Sequence, residues 1–144
     1  MNNLKKKKKG FTLVELMAVI AIIAILAAVL VPTVNGYITR SKKTAVITQV
    51  RNIVNAIESY NITASTPISD EYDLNKTDNK KIMVILKNAD LVDNENTPSA
   101  PKEDLTYKIL KEINNATDAL DKIAIQSNVI SGWNGDTKYG TYKK

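Results

Sequence analysis

The chain has 144 residues, a formal charge of +5, and neither cysteine nor histidine. Those counts exclude a disulfide framework, a thiolate or imidazole metal site, and any Ser-His-Asp or Cys-His nucleophile. The positive balance would suit nucleic acid or an anionic surface only if it were spread over a folded domain.

It is not spread. Lys5, Lys6, Lys7, Lys8 and Lys9 form an unbroken run that carries the whole excess, and from Phe11 onward 15 basic side chains meet 15 acidic ones. Within that remainder, residues 11–51 hold Arg40, Lys42, Lys43 and Arg51 against Glu15 alone, a balance of +3. Residues 52–144 hold 11 lysines against 14 acids, a balance of −3. The charge distribution weighs against nucleic acid as a partner.

Behind the lysines, Phe11 to Val31 is apolar at 19 of 21 positions, broken only by Thr12 and Glu15. A helix of that length is about 31 Å long, which matches a bilayer hydrocarbon core of about 30 Å. Lysines on the N-terminal flank place that end in the cytoplasm and the C-terminal region on the outer side of the membrane. A cleaved signal peptide or a plain signal anchor shares these features. Two details separate this segment from both. It ends without a clear A-x-A site, and it carries Glu15 near its start, where a carboxylate is costly enough to need a function.

The segment Lys8-Lys9-Gly10-Phe11-Thr12-Leu13-Val14-Glu15 resembles the processing site of type IV prepilins and pseudopilins. The resemblance covers residues 5 to about 36 and joins four features at fixed spacing: a basic leader, Gly-Phe, a Glu at the fifth mature position, and an apolar run that starts at once. It implies that a membrane aspartyl peptidase cuts after Gly10 and that Phe11 is then N-methylated. It also implies that Glu15 neutralises the Phe11 amine, in part on a neighbouring subunit, as an assembly register. Glycine lets the backbone enter a narrow cleft. Removing the leader also removes five charges that could not enter an apolar fibre core.

Pro32 and Gly36 come after the apolar run, and proline removes a helix hydrogen bond, so a kink is expected at Pro32 and Gly36. The helix then resumes. Val46, Val50, Ile53, Val54, Ile57 and Tyr60 recur at spacings of three and four, which is one helical face. The simplest reading is a single helix from Phe11 to about Tyr60, apolar all round and then amphipathic, whose second half packs against its own domain.

Asn61 to Asn79 reads as a loop. Within it Asp73-x-Asn75-x-Thr77 faintly resembles a calcium loop, but Asp78 stands where Gly is needed and Val84 where Glu is needed, so no metal and no cofactor are expected. Ile82, Ile85, Leu86 and Ala89 predict a short helix within Lys80 to Leu91. Asn94 to Pro101 reads as a link. Leu105-Tyr107-Ile109 and Ile123-Ile125 alternate as half-buried strands do. Asn134-Gly135 predicts a two-residue hairpin turn between Trp133 and a last strand around Tyr139 to Tyr142.

The expected fold is α+β and pilin-like, a long N-terminal helix packed on a small antiparallel sheet of three or four strands. The chain would then divide into three regions: 1–10 as a cleaved leader, 11–36 as the transmembrane and fibre-core half of the helix, and 37–144 as an extracellular head. The resemblance implies a structural subunit of a type IV pilus, a fimbrium of the cell surface serving adhesion and motility. Its partners would be copies of itself, the prepilin peptidase, the membrane before assembly, and indirectly an assembly platform and ATPase. The chain has no glycine-rich phosphate loop to supply the ATPase activity itself.

A pseudopilin of a type II secretion or DNA-uptake system shares the N-terminal segment. Secretion pseudopilins of the major kind commonly carry a Trp-Gly-x-Pro-Tyr-like stretch before a calcium loop. Here only Trp133-Asn134-Gly135 corresponds, which favours a pilin. A minor pilin or adhesin is a further alternative. A tethered binding module would draw on Tyr107, Tyr139, Tyr142, Lys138, Lys143 and Lys144, although strands use such residues anyway. An enzyme finds the least support, since Glu103-Asp104 reads as an exposed turn and no general base stands out.

Overall fold

The computed structural model describes residues 10–74, 81–92 and 105–140. The leader lysines Lys5–Lys9, the Asn94 to Pro101 link, the Glu103-Asp104 pair and Tyr142, Lys143 and Lys144 lie outside them. Seven elements run in the order α1 (Leu13–Thr63), α2 (Ile82–Asn88), α3 (Tyr107–Asn115), α4 (Ala119–Lys122), β1 (Ile123–Gln126), β2 (Val129–Asn134) and β3 (Lys138–Gly140). The architecture is the expected α+β, a long N-terminal helix and a three-stranded antiparallel sheet of order β1-β2-β3. The chain divides into two compact units after Ile38.

The first unit is helical from Leu13, and every residue from Gly10 to Ile38 is exposed. The helix continues through Pro32 and Gly36. Proline supplies no N–H to the carbonyl four residues earlier, at Ala28. Next to it the Thr33 hydroxyl donates to the Val29 carbonyl at 3.2 Å.

The second unit has the hydrophobic core. From α1 it takes Val46, Val50, Ile53, Val54, Ala56 and Ile57, so the amphipathic face is where the periodicity puts it, with Tyr60 only partly buried. The loop after α1 adds Ile68 and Leu74, α2 adds Ile82, Met83 and Leu86, and α3 adds Tyr107, Ile109, Leu110 and Ile113. Ile123, Ile130, Trp133 and Tyr139 contribute from the sheet. Asn61 closes the turn out of α1 with a side chain that mimics a peptide group. Its Nδ2 donates to the Ile68 carbonyl at 3.1 Å, and its Oδ1 accepts the Ile68 N–H at 2.7 Å.

Two local expectations are corrected. Leu105-Tyr107-Ile109 is not a strand, because α3 begins at Tyr107 and buries Tyr107, Leu110 and Ile113 at spacings of three. Over three residues, alternation and a helical period cannot be told apart. The hairpin at Asn134-Gly135 has a longer loop than expected. Asn134 belongs to β2 and pairs with Lys138, which leaves Gly135, Asp136 and Thr137 as the loop. The last strand, expected around Tyr139 to Tyr142, is present as β3, Lys138–Gly140, with Tyr142 outside the described residues. The tight two-residue turn falls instead at Ser127 and Asn128, whose φ angles of 51° and 64° fit the positive pair of a type I′ turn.

Candidate functional site

The residues singled out by sequence stand at the start of α1. Thr12 precedes the helix and Glu15 lies in its first turn, three residues on. The Thr12 N–H and hydroxyl donate to Glu15 Oε2 at 2.8 and 2.9 Å, and the Glu15 N–H donates back to Thr12 Oγ1 at 3.3 Å. This is a reciprocal capping box, and it satisfies donors that a helix start otherwise leaves open. A Thr-x-x-Glu spacing carries that signal in sequence, yet the sequence reading assigned no role to Thr12. A carboxylate here also faces the positive end of the helix dipole.

Phe11 beside it is 92% exposed. Among the described residues, and apart from the chain next to each glycine, no heavy atom lies within 4 Å of a Cβ built on Gly10 or on Gly36. Neither glycine is therefore required by crowding within the chain.

Beyond Glu15, every large apolar side chain from Leu16 to Val31 is at least half exposed. Within α1 lies a window of mean hydropathy 3.0, none of it buried, and the helix is long and apolar enough to cross a membrane. A continuous apolar surface of this kind far exceeds what a soluble monomer leaves open and needs lipid or other protein against it. The fold and this segment define a class: a small α+β head on an N-terminal helix built to leave water.

One rival reading loses ground in the second unit. Tyr107 and Tyr139, on which a tethered binding module would draw, are 6% and 2% exposed and serve the core. Asp73 of the faint calcium loop is buried and forms backbone bridges to Lys81 and Thr106, while Asn75, Thr77 and Asp78 lie outside the described residues. Among the described residues, no group of three or more acids is placed to hold a metal ion.

The sequence reading also missed Glu112. From α3 its carboxylate takes the Trp133 indole N–H at 3.1 Å, the Thr137 N–H at 3.0 Å and the Thr137 hydroxyl. Burial pushes its pKa up, but the bonds from Thr137 and Trp133, with the nearby Lys108 charge, outweigh burial and leave it below the ordinary carboxyl value. Gly135 lies so close to the indole that a Cβ there would fall 2.2 Å from Trp133 Nε1.

Comparison with known proteins bears on the N-terminal part of the chain. Residues 5–31 match the family described as the prokaryotic N-terminal methylation motif. A fimbrial protein of Pseudomonas aeruginosa is 38% identical over 79 residues, 51% of this chain and 51% of the relative. A type IV major fimbrial protein FimA of Dichelobacter nodosus is 46% identical over 56 residues, 39% of this chain and 36% of the relative. A type IV major alpha-pilin of Moraxella bovis is 42% identical over 64 residues, 44% of this chain and 40% of the relative. No solved structure matches the chain. The match to this chain spans about half the length of these curated relatives or less. The motif and the fimbrial relatives together support a place for this chain in the type IV pilin family.

Proposed function

We propose that this chain is a structural subunit of a type IV pilus, made as a membrane-anchored precursor and polymerised into an extracellular filament. The observation that carries this reading is the junction of Gly10-Phe11 and Glu15 with an apolar helical segment left wholly exposed. The Lys5–Lys9 leader holds the N-terminus inside the cytoplasmic membrane. The prepilin peptidase hydrolyses the Gly10–Phe11 bond, which removes five cations and frees an amine at Phe11 that is then methylated.

Glu15 supplies the carboxylate that amine needs. A cation and an anion buried apart are each costly, and paired they largely cancel. The pair therefore sets the register of packing more than it adds stability. The apolar half of α1 exchanges lipid for its copies, while the head stays in water. An assembly platform and an ATPase outside this chain supply the work.

The test is to shear surface filaments from cells and determine the N-terminus of this chain. A mature terminus at N-methylated Phe11 in abundant filament protein is the expected result. A filament-free surface, or a chain retaining Lys5–Lys9, overturns the reading.

A further inference from the structure

The second unit is electrically lopsided. Along its share of α1, Arg40, Lys42, Lys43 and Arg51 come first, and no acid appears until Glu58. Two bonds fix what lies beside this helix. Lys43 Nζ donates to the Leu120 carbonyl at 2.9 Å, and Arg51 Nε donates to Asn114 Oδ1 at 3.4 Å. The segment carrying α3 and α4 therefore runs antiparallel to α1.

Near Lys43, that arrangement gathers Arg40, Lys42, Lys43 and Lys122, which among the described residues outnumber Asp118, Asp121 and Asp136. Lys122 is committed to Asp118 at 3.1 Å. Arg40 and Lys42 are exposed and belong to none of the ion pairs described.

The other end has the opposite sign. Glu58 and Asp70 both act electrostatically on the Tyr107 phenol, as does Lys111. The Tyr107 N–H donates to the Tyr72 carbonyl at 2.9 Å, which holds the Asp70–Tyr72 segment beside α3. Lys111 is committed to Asp70 and lies 4.7 Å from the centre of the Tyr107 ring. Among the described residues, Glu58, Asp70, Glu71, Asp73 and Glu112 here outnumber Lys81, Lys108 and Lys111, and Glu58 and Glu71 are exposed. From Arg40 to Glu58 is about 27 Å along the helix, at 1.5 Å per residue.

Two complementary patches that far apart cannot pair within one molecule. Pairing between molecules joins two different surfaces, and such a heterologous contact repeats without closing unless the rotation happens to make a ring. We propose that copies of this chain stack head to tail, the Arg40 and Lys42 patch of one copy seated on the Glu58 and Glu71 patch of the next. The inference rests on the filament reading and names the head surfaces that meet in it. Charge complementarity of this kind fixes register and rejects wrong juxtapositions.

The test uses the full chain in cells that display its filaments. Three variants are compared with the unaltered chain: Arg40→Glu with Lys42→Glu, Glu58→Lys with Glu71→Lys, and all four together. Each double reversal is expected to cut surface filament yield by at least about tenfold, since facing like charges repel. Chain level in the membrane and removal of the leader should not change. The quadruple variant, which restores complementarity with the signs exchanged, should recover yield toward the unaltered level. Double variants that assemble normally overturn the stacking, and so does a quadruple variant that is well folded yet as deficient as the doubles. No filaments from the unaltered chain would instead overturn the filament reading beneath it.

Discussion

Glu112 holds Trp133 by its indole N–H, at 3.1 Å from Oε2, while the same carboxylate takes both donors of Thr137. One side chain of α3 thus closes the loop between β2 and β3. Trp133 is the only tryptophan in the chain, so its emission reports on this clamp alone. Glu112→Ala leaves the indole N–H and the Thr137 donors without their acceptor, at a cost of about 2–3 kcal/mol for bonds to a charged group. A lower melting temperature and red-shifted emission are expected. Glu112→Gln keeps an acceptor and should lose less. An alanine variant with unchanged melting and emission would show that the clamp contributes nothing.

The same carboxylate gives the head a defined response to acid. Its folded pKa lies below the ordinary value of 4.5, because the hydrogen bonds outweigh burial. A group of this kind contributes stability that is fully present above its unfolded pKa and is lost as pH falls through the folded one. Stability from Glu112 should therefore hold at neutral pH and fade only below about pH 4.5. Melting of the detergent-solubilised chain from pH 7 down to pH 3 checks this. The gap between the unaltered chain and Glu112→Gln should narrow at the acid end, and a gap that widens there contradicts the assignment.

These two predictions concern a residue that the sequence did not mark, and the reason is physical. Trp133 and Thr137 lie 21 and 25 residues from Glu112, so no local spacing links them. Features written in composition or a long period were legible. The apolar half of α1 is one continuous run. Val46, Val50, Ile53, Val54 and Ile57 repeat over enough turns to fix the buried face. Short elements were not legible. Thr106 makes no side-chain cap bond to announce α3, and β2 is interrupted by a register shift and by Gly132. The β1–β2 turn uses Ser127 and Asn128 where a glycine would have been the signal. The capping box of Thr12 and Glu15 was legible as a spacing, but the cost of a carboxylate in an apolar run drew attention to Glu15 alone.

Processing after Gly10 predicts a sharp size effect. A Cβ on Gly10 meets nothing within 4 Å in the chain itself, so Gly10→Val should not disturb the fold. On the proposed processing, its effect would fall on the peptidase cleft, where a branched side chain would block the extended backbone. The variant should accumulate in the membrane with Lys5–Lys9 still attached and form no filaments. Intact mass of the purified chain decides the matter, and a mature-length Gly10→Val product refutes cleavage at this bond.

Glu15 should separate processing from assembly. Its carboxylate is already held by the Thr12 N–H and hydroxyl, within one turn of the amine that the proposed cleavage would create at Phe11. Glu15→Ala removes the acceptor of the capping box, a local loss confined to an exposed helix start. The bond after Gly10 remains intact as a substrate, so mature chain with Phe11 at its N-terminus should still appear. In the proposed fibre the same change would leave a cationic amine without its counter-ion, and breaking a buried pair in this way is strongly destabilising. Filament yield should fall steeply while membrane levels of processed chain stay normal. Abundant filaments from correctly processed Glu15→Ala would mean that the amine finds its neutralising charge elsewhere, and Glu15 would then be no more than the cap that Thr12 makes of it.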